Sequence, residues 1–198
     1  MFYQARKFNR DISGWITDKV TSMAKMFDGC SKLKSNLSKW NVGRVANFER
    51  TFAAFCNSDH NCADVIHSLQ KWDTSSATNM KQMFSKTNYA NLDFVLGAWN
   101  VSKVTNMEAM FEESYKAAWR KDGEQDIGDW DVSSVTNMKK MFYRVFGDFS
   151  PQIEKWNTGK VKDMTQMFHT VYKFNRPIGS WDVGSVTTFF GMFECQNW

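Results

Sequence analysis

Cys56, His60, Cys62 and His67 place four metal-capable side chains within twelve residues. Thiolates and imidazoles are what a structural zinc ion takes, at defined spacings. The order here, Cys-x3-His-x-Cys-x4-His, fits none of them, so the stretch reads as a loop and a following helix. No metal or other cofactor is expected. A second row could hold a hard cation: Asn41, Asp73, Asn100, Asp131, Asn157 and Asp182 recur in phase, broken only by Ile16. Stacked carboxylates suit calcium, but Asn alternates freely with Asp, which fits side chains that satisfy turn backbone. A third row, Thr21, Thr78, Thr105, Thr136 and Thr187, invites an ice-binding reading. Ala46 and Lys162 interrupt it, and a helical slot would not present a flat array, so that reading is rejected. The histidines His60, His67 and His169 have no nucleophile setting, and there is no glycine-rich phosphate loop. The chain reads as non-enzymatic, with no catalytic residues.

All of these rows are set by one periodicity. Trp15, Trp40, Trp72, Trp99, Trp130, Trp156 and Trp181 are each followed twelve residues later by a Phe: Phe27, Phe52, Phe84, Phe111, Phe142, Phe168 and Phe193. Counting from each Trp, position −3 is always Ile or Leu. Position +5 is Val (Ala77 once), +8 is Met or Phe, and +11 is Met except Thr51. Such ladders stack side chain on equivalent side chain and bury a core that no single unit could. The Trp row is therefore core rather than a sugar platform; its ring N–H can bond a neighbouring turn.

Trp to Phe is a fixed length, whereas the return from Phe to the next Trp runs 13, 20, 15, 19, 14 and 13 residues. The long returns, Ala53–Lys71 and Glu112–Asp129, are insertions, which in repeat proteins fall in loops used for binding. Apolar residues at steps of three from the Val onward (Val20, Met23, Met26, Phe27) predict a short helix or 3₁₀ turn. One inward Ile or Leu between polar neighbours, as in Asp11-Ile12-Ser13, predicts a very short strand.

At 198 residues and 42% hydrophobic the chain has enough apolar surface for one sizeable core, and no apolar run is long enough to span a membrane. The net charge of +4 reads as mild and spread along the chain, too weak to imply nucleic acid. Four cysteines are too few for a disulfide-dense scaffold. Cys30 and Cys56 occupy nearly equivalent phases, so a bridge is geometrically possible, with two buried thiols the simpler expectation. Asn36-Leu37-Ser38 and Asn100-Val101-Ser102 match the glycosylation acceptor within core repeats. Met1 is in phase with the repeat, which suggests a piece of a longer array.

The pattern Phe-Asn-x-x-Ile-x-x-Trp-Asp-Val-x-x-Val-Thr, then Met or Phe and Met-Phe, resembles the BspA-type leucine-rich repeats. These form a domain-of-unknown-function family shared with mycoplasma-type surface lipoproteins. Phe174–Val183 and Trp130–Phe142 match best, and the resemblance covers the whole chain. It implies a right-handed solenoid and a bacterial or protist surface protein, adhesive in some members, with no shared catalytic residues. Departures fall at Thr51, Gly123 and the two insertions.

The expected architecture is an α/β repeat solenoid, leucine-rich-repeat-like and right-handed. It would hold about seven repeats of 25–32 residues, each with one short strand and one short helix or 3₁₀ turn, in a single domain over 1–198. The expected function is a non-enzymatic protein-interaction or adhesion module at the cell surface or outside the cell; the alternative is a structural subunit of a larger assembly or filament, by association with neighbouring chains, and because the chain looks truncated that assembly could be intracellular or organellar. The expected partner is a protein or host-surface ligand, not nucleic acid. It would meet a mildly acidic concave face exposing Asp11, Ser13, Asn36, Ser38, Ser68, Gln70, Asp126, Gln152 and Glu154, with Tyr115 and Trp119 on an insertion. The opposite side would show Lys25, Arg50, Lys81, Lys139 and Lys140.

Overall fold

Residues 1–55, 62–87, 96–114, 127–146, 151–171 and 173–195 are described by a computed structural model. Seven Trp-headed units lie on one another as successive coils. Eight phenylalanines, from Phe2 to Phe193, stack in one continuous column with ring centroids 5.6 to 6.1 Å apart. Trp40, Trp72, Trp99, Trp130, Trp156 and Trp181 are buried beside it. The Met and Val rows close the same core; Met80, Met107, Met138 and Met164 are fully buried. Trp15 and Phe193, with a neighbouring unit on one side only, stay partly exposed.

Each buried indole also fastens its coil to the one before. The ring N–H of Trp40 donates to the Ile12 carbonyl at 3.0 Å, and Trp72, Trp99, Trp130, Trp156 and Trp181 repeat the bond to Leu37, Leu69, Leu96, Ile127 and Ile153. A buried indole N–H left unpaired would cost on the order of 1–3 kcal/mol, so the residue at −3 serves twice, its side chain as core filler and its backbone carbonyl as hydrogen-bond acceptor.

The secondary structure differs from the expectation. Among the described residues there is no strand. The elements named among the described residues are the α-helix α1 (Ala63–Ser68) and the 3₁₀ turns Leu69–Lys71, Ile127–Asp129 and Ile153–Lys155. The α/β, leucine-rich-repeat-like architecture with a strand and a helix per repeat is therefore overturned. Where a strand was expected, before each Trp, the Trp N–H bonds back to the −3 carbonyl (Trp40 to Leu37, 3.0 Å; Trp99 to Leu96, 2.9 Å) and closes a turn. One apolar residue among polar ones satisfies a turn with a single inward side chain as well as it does a strand.

Where a helix was expected, after the Val, the chain runs in consecutive four-residue turns. The +11 N–H bonds to the +8 carbonyl (Met110 to Met107, 3.2 Å), and the +15 N–H to +12 (Val145 to Phe142, 3.2 Å). The third residue of each turn has positive φ: Lys25, Arg50, Gln82, Ala109, Lys140 and Gln166 at +10, and Ala54, Lys86, Glu113, Arg144 and Thr170 at +14. Positive φ at the third residue alone is the type II turn. Apolar spacing of three is common to a helix and to this run of turns, so periodicity could not separate them.

This winding frees alternate amides to point along the stack. The N–H groups at +8, +10, +12 and +14 donate to the carbonyls at +7, +9, +11 and +13 of the next coil, as Met107, Ala109, Phe111 and Glu113 do to Asn137, Lys139, Met141 and Tyr143, at 2.7–3.0 Å. The pairing is parallel and registers as isolated bridges from Ser22 through Asn47, Asn79, Asn106, Asn137 and Asp163 to Thr188. The remaining amide, at +9, goes to the +7 side chain: Glu49 to Asn47 at 2.9 Å, Lys81 to Asn79 at 3.0 Å, Thr165 to Asp163 at 2.8 Å. In the coils that open on Trp99, Trp130 and Trp156 every amide from +8 to +15 thus has a partner, as buried backbone requires. A left-handed conformation costs a non-glycine residue roughly 1–2 kcal/mol, and the inter-coil ladder offsets it.

Thr51 fits without the Met of its slot. It is fully buried, and its hydroxyl reaches both the Met23 and Phe48 carbonyls. Gly123 lies outside the described residues. No helix among them is long and apolar enough to cross a membrane.

Candidate functional site

Most of the expected face residues sit on the return segments before the first three tryptophans. Asp11, Ser13 and Asn36 line one open depression of about 350 Å³ with Asn9, Lys34 and Ser35. Asn36, Ser38 and Ser68 line a second, of similar volume, with Lys34, Asp64, His67 and Lys71. Lys34 and Asn36 belong to both, so the two form one polar trough.

The trough is held by side chain-to-backbone bonds between coils. Ser35 Oγ accepts the Ile12 N–H at 3.0 Å and donates to the Arg10 carbonyl. Ser68 Oγ accepts the Leu37 N–H at 3.0 Å and donates to the Val65 carbonyl. Ser68 is therefore buried, not exposed as expected, because its hydroxyl is the acceptor that the Leu37 amide needs. Asp11 Oδ1 accepts the Ser13 N–H and Asn36 Oδ1 the Ser38 N–H, both at 2.9 Å. The bond from Ser13 is what holds the exposed Asp11 carboxyl below its ordinary pKa. Helix α1 carries Asp64, His67 and Ser68 into the lining.

The other expected residues are not brought there. Gln70 is exposed but outside the lining. Gln152 precedes and Glu154 lies within the turn Ile153–Lys155, several coils along the stack, where Glu154 Oε2 is buried without a hydrogen-bond partner. Tyr115, Trp119 and Asp126 lie outside the described residues.

Two further expectations change. The trough is not a mildly acidic face, because Lys34 and Lys71 stand in its lining. Nor is the positive charge spread evenly. Residues 1–40 carry eight basic and three acidic side chains, a surplus of five against +4 for the whole chain. Counting charge by segment shows this, but Lys34 and Lys71 occupy different offsets from their tryptophans and form no visible row. Of the cations expected on the other side, Arg50 pairs with the fully buried Asp28 at 2.7 Å and Lys81 with Glu108 at 2.9 Å, each between coils.

Of the metal-capable cluster, Cys56 and His60 lie outside the described residues, and Cys62 is disulfide-bonded. Among the described residues no group of three His, Cys, Asp or Glu could hold a metal ion. Cys30 is a free, buried thiol, so it is not bridged to Cys56. Burial raises its pKa to about 11, and its S–H donates to the Phe2 carbonyl. The Asn/Asp row after each Trp caps turns, as in Ser75 N–H to Asp73 and Ser102 N–H to Asn100.

No curated protein and no solved structure matches the chain. The family described as "Mycoplasma protein of unknown function, DUF285" matches in tandem over residues 1–64, 57–121 and 114–197. Those three matches span the chain almost end to end, and the chain belongs to that family.

Proposed function

We propose that the protein is a non-enzymatic interaction module of the cell surface that recognises a protein partner through the polar trough. The observation that carries this reading is convergence: Asp11, Ser13, Asn36, Ser38 and Ser68 come from three successive returns and line one continuous depression. Stacked repeats build extended recognition surfaces of this kind. The resemblance of the Trp-to-Phe motif to BspA-type surface repeats supports the placement. So does the disulfide at Cys62, since disulfides persist in oxidising compartments. The test is photo-crosslinking in the native host from a reactive side chain placed at Asn36, with Thr105 as control. A polypeptide captured from Asn36 and absent from Thr105 is the expected result. Capture of the same set from both positions, or none from Asn36, would refute the reading.

A further inference from the structure

We propose that the trough of the first three returns binds an extended, acidic polypeptide segment. This rests on the reading of the trough as a recognition surface and adds the chemistry of its partner. Arg10, Lys34, Lys39 and Lys71 are all exposed on these returns, and among the described residues none of them has an ion-pair partner. Four cations of later coils are paired across coils: Arg50 with Asp28, Lys81 with Glu108, and Lys86 and Arg144 with Glu113. On the described parts of these returns Arg10, Lys34, Lys39 and Lys71 outnumber the exposed carboxylates of Asp11 and Asp64, a local positive excess that attracts and steers anionic partners.

The trough's neutral groups narrow the class. Asn36 spends its carbonyl oxygen on the Ser38 amide, which leaves its NH₂ group to donate outward. Asn9 and Ser13 add further amide and hydroxyl groups to the lining. Asp11 and Asp64 stand among the lysines. A polyphosphate, charged at every unit, would set negative groups against both carboxylates. A polypeptide alternates side-chain carboxylates with neutral peptide groups, whose N–H can meet Asp11 or Asp64 and whose carbonyl can meet Asn36. Observed charge and polar pattern together favour the polypeptide over nucleic acid.

The probe is a fluorescein-labelled peptide of alternating Glu and Ser, read by anisotropy. A Gln/Ser peptide and an oligothymidylate of equal charge serve as comparisons. The expected result is binding of the Glu/Ser peptide, weaker binding of the oligothymidylate, none of the Gln/Ser peptide, and weakening with added salt. Lys34→Glu with Lys71→Glu should lower affinity by at least about tenfold, or 1.4 kcal/mol, while Lys162→Glu, exposed and outside the trough, leaves it unchanged. Thermal melts check that the double variant folds; Lys34→Gln with Lys71→Gln is the gentler variant if it does not. No binding by the wild-type chain, equal or tighter binding of the oligothymidylate, or unaltered affinity in the charge variants overturns the proposal. Should it fall while the Asn36 crosslink persists, the trough remains a recognition surface for other chemistry; loss of both removes the reading beneath it.

Discussion

The two halves of each coil treat polar groups in opposite ways. From Trp to the turn after Phe, the amides from +8 to +15 in the coils opening on Trp99, Trp130 and Trp156 are all spent within the turn or on the next coil, and cations such as Arg50 and Lys81 are spent on carboxylates across the stack. On the early returns, the backbone is held by two buried hydroxyls, Ser35 and Ser68, while Lys34, Lys71 and the Asn36 amide face outward unspent. The first half is closed to chemistry because its groups satisfy one another. The second has length and composition free to vary, and so can carry recognition.

The comparison breaks most visibly at Trp130. Trp130→Ala removes a buried ring and the donor to the Leu96 carbonyl, and should cost about 3–5 kcal/mol in denaturant unfolding. Next is Arg50→Ala, which strands the Asp28 carboxylate in the core. Arg50 is itself partly exposed, so the loss should fall at or just below the lower end of the range of about 3–5 kcal/mol for broken buried pairs, at about 2–3 kcal/mol. Charge reversal at Lys34 or Lys71, by contrast, should change stability by less than about 0.5 kcal/mol.

A smaller effect of opposite sign tests the turns. Ala109 holds φ of 53° at +10, so Ala109→Gly should raise stability by about 0.5–1 kcal/mol, a gain that a helical Ala109 would reverse into a loss. The smallest effect is on acid stability. The bonds from Ser75 and Ser133 lower the Asp73 and Asp131 pKa values in the folded chain. A lowered folded value means stabilisation present above the unfolded carboxylate pKa and lost as pH falls through the folded one. Asp73→Asn with Asp131→Asn should flatten that acid limb while leaving melts at neutral pH unchanged, since Asn100 and Asn157 already hold the slot.

What could be read in the sequence was register. The Trp, Phe, Met and Val rows occupy the core in the inner coils, and Asn41 to Asp182 cap turns. What could not be read was conformation. Lys25, Arg50, Gln82, Ala109 and Lys140 give no sign of positive φ, since that region normally announces itself through Gly or Asn. Nor could local alternation show that Ser68 would be turned inward by the Leu37 amide, a partner 31 residues away. For the site, the polar residues Asp11, Asn36 and Ser38 were legible as exposed turn positions. The character of the trough was not, because Lys34 belongs to it only through the stacking of one return on the next.

The division of each coil into a mutually satisfied half and an open half is tested most directly by amide hydrogen exchange on the unmodified chain. Met107, Ala109, Phe111 and Glu113, which donate to the next coil, should exchange only at the slow limit set by opening of the stack. Ser13 and Ser38, bonded only to the exposed Asp11 and Asn36 side chains, should exchange orders of magnitude faster. Ala109 and Glu113 exchanging as fast as Ser13 and Ser38 would contradict the ladder and the division built on it.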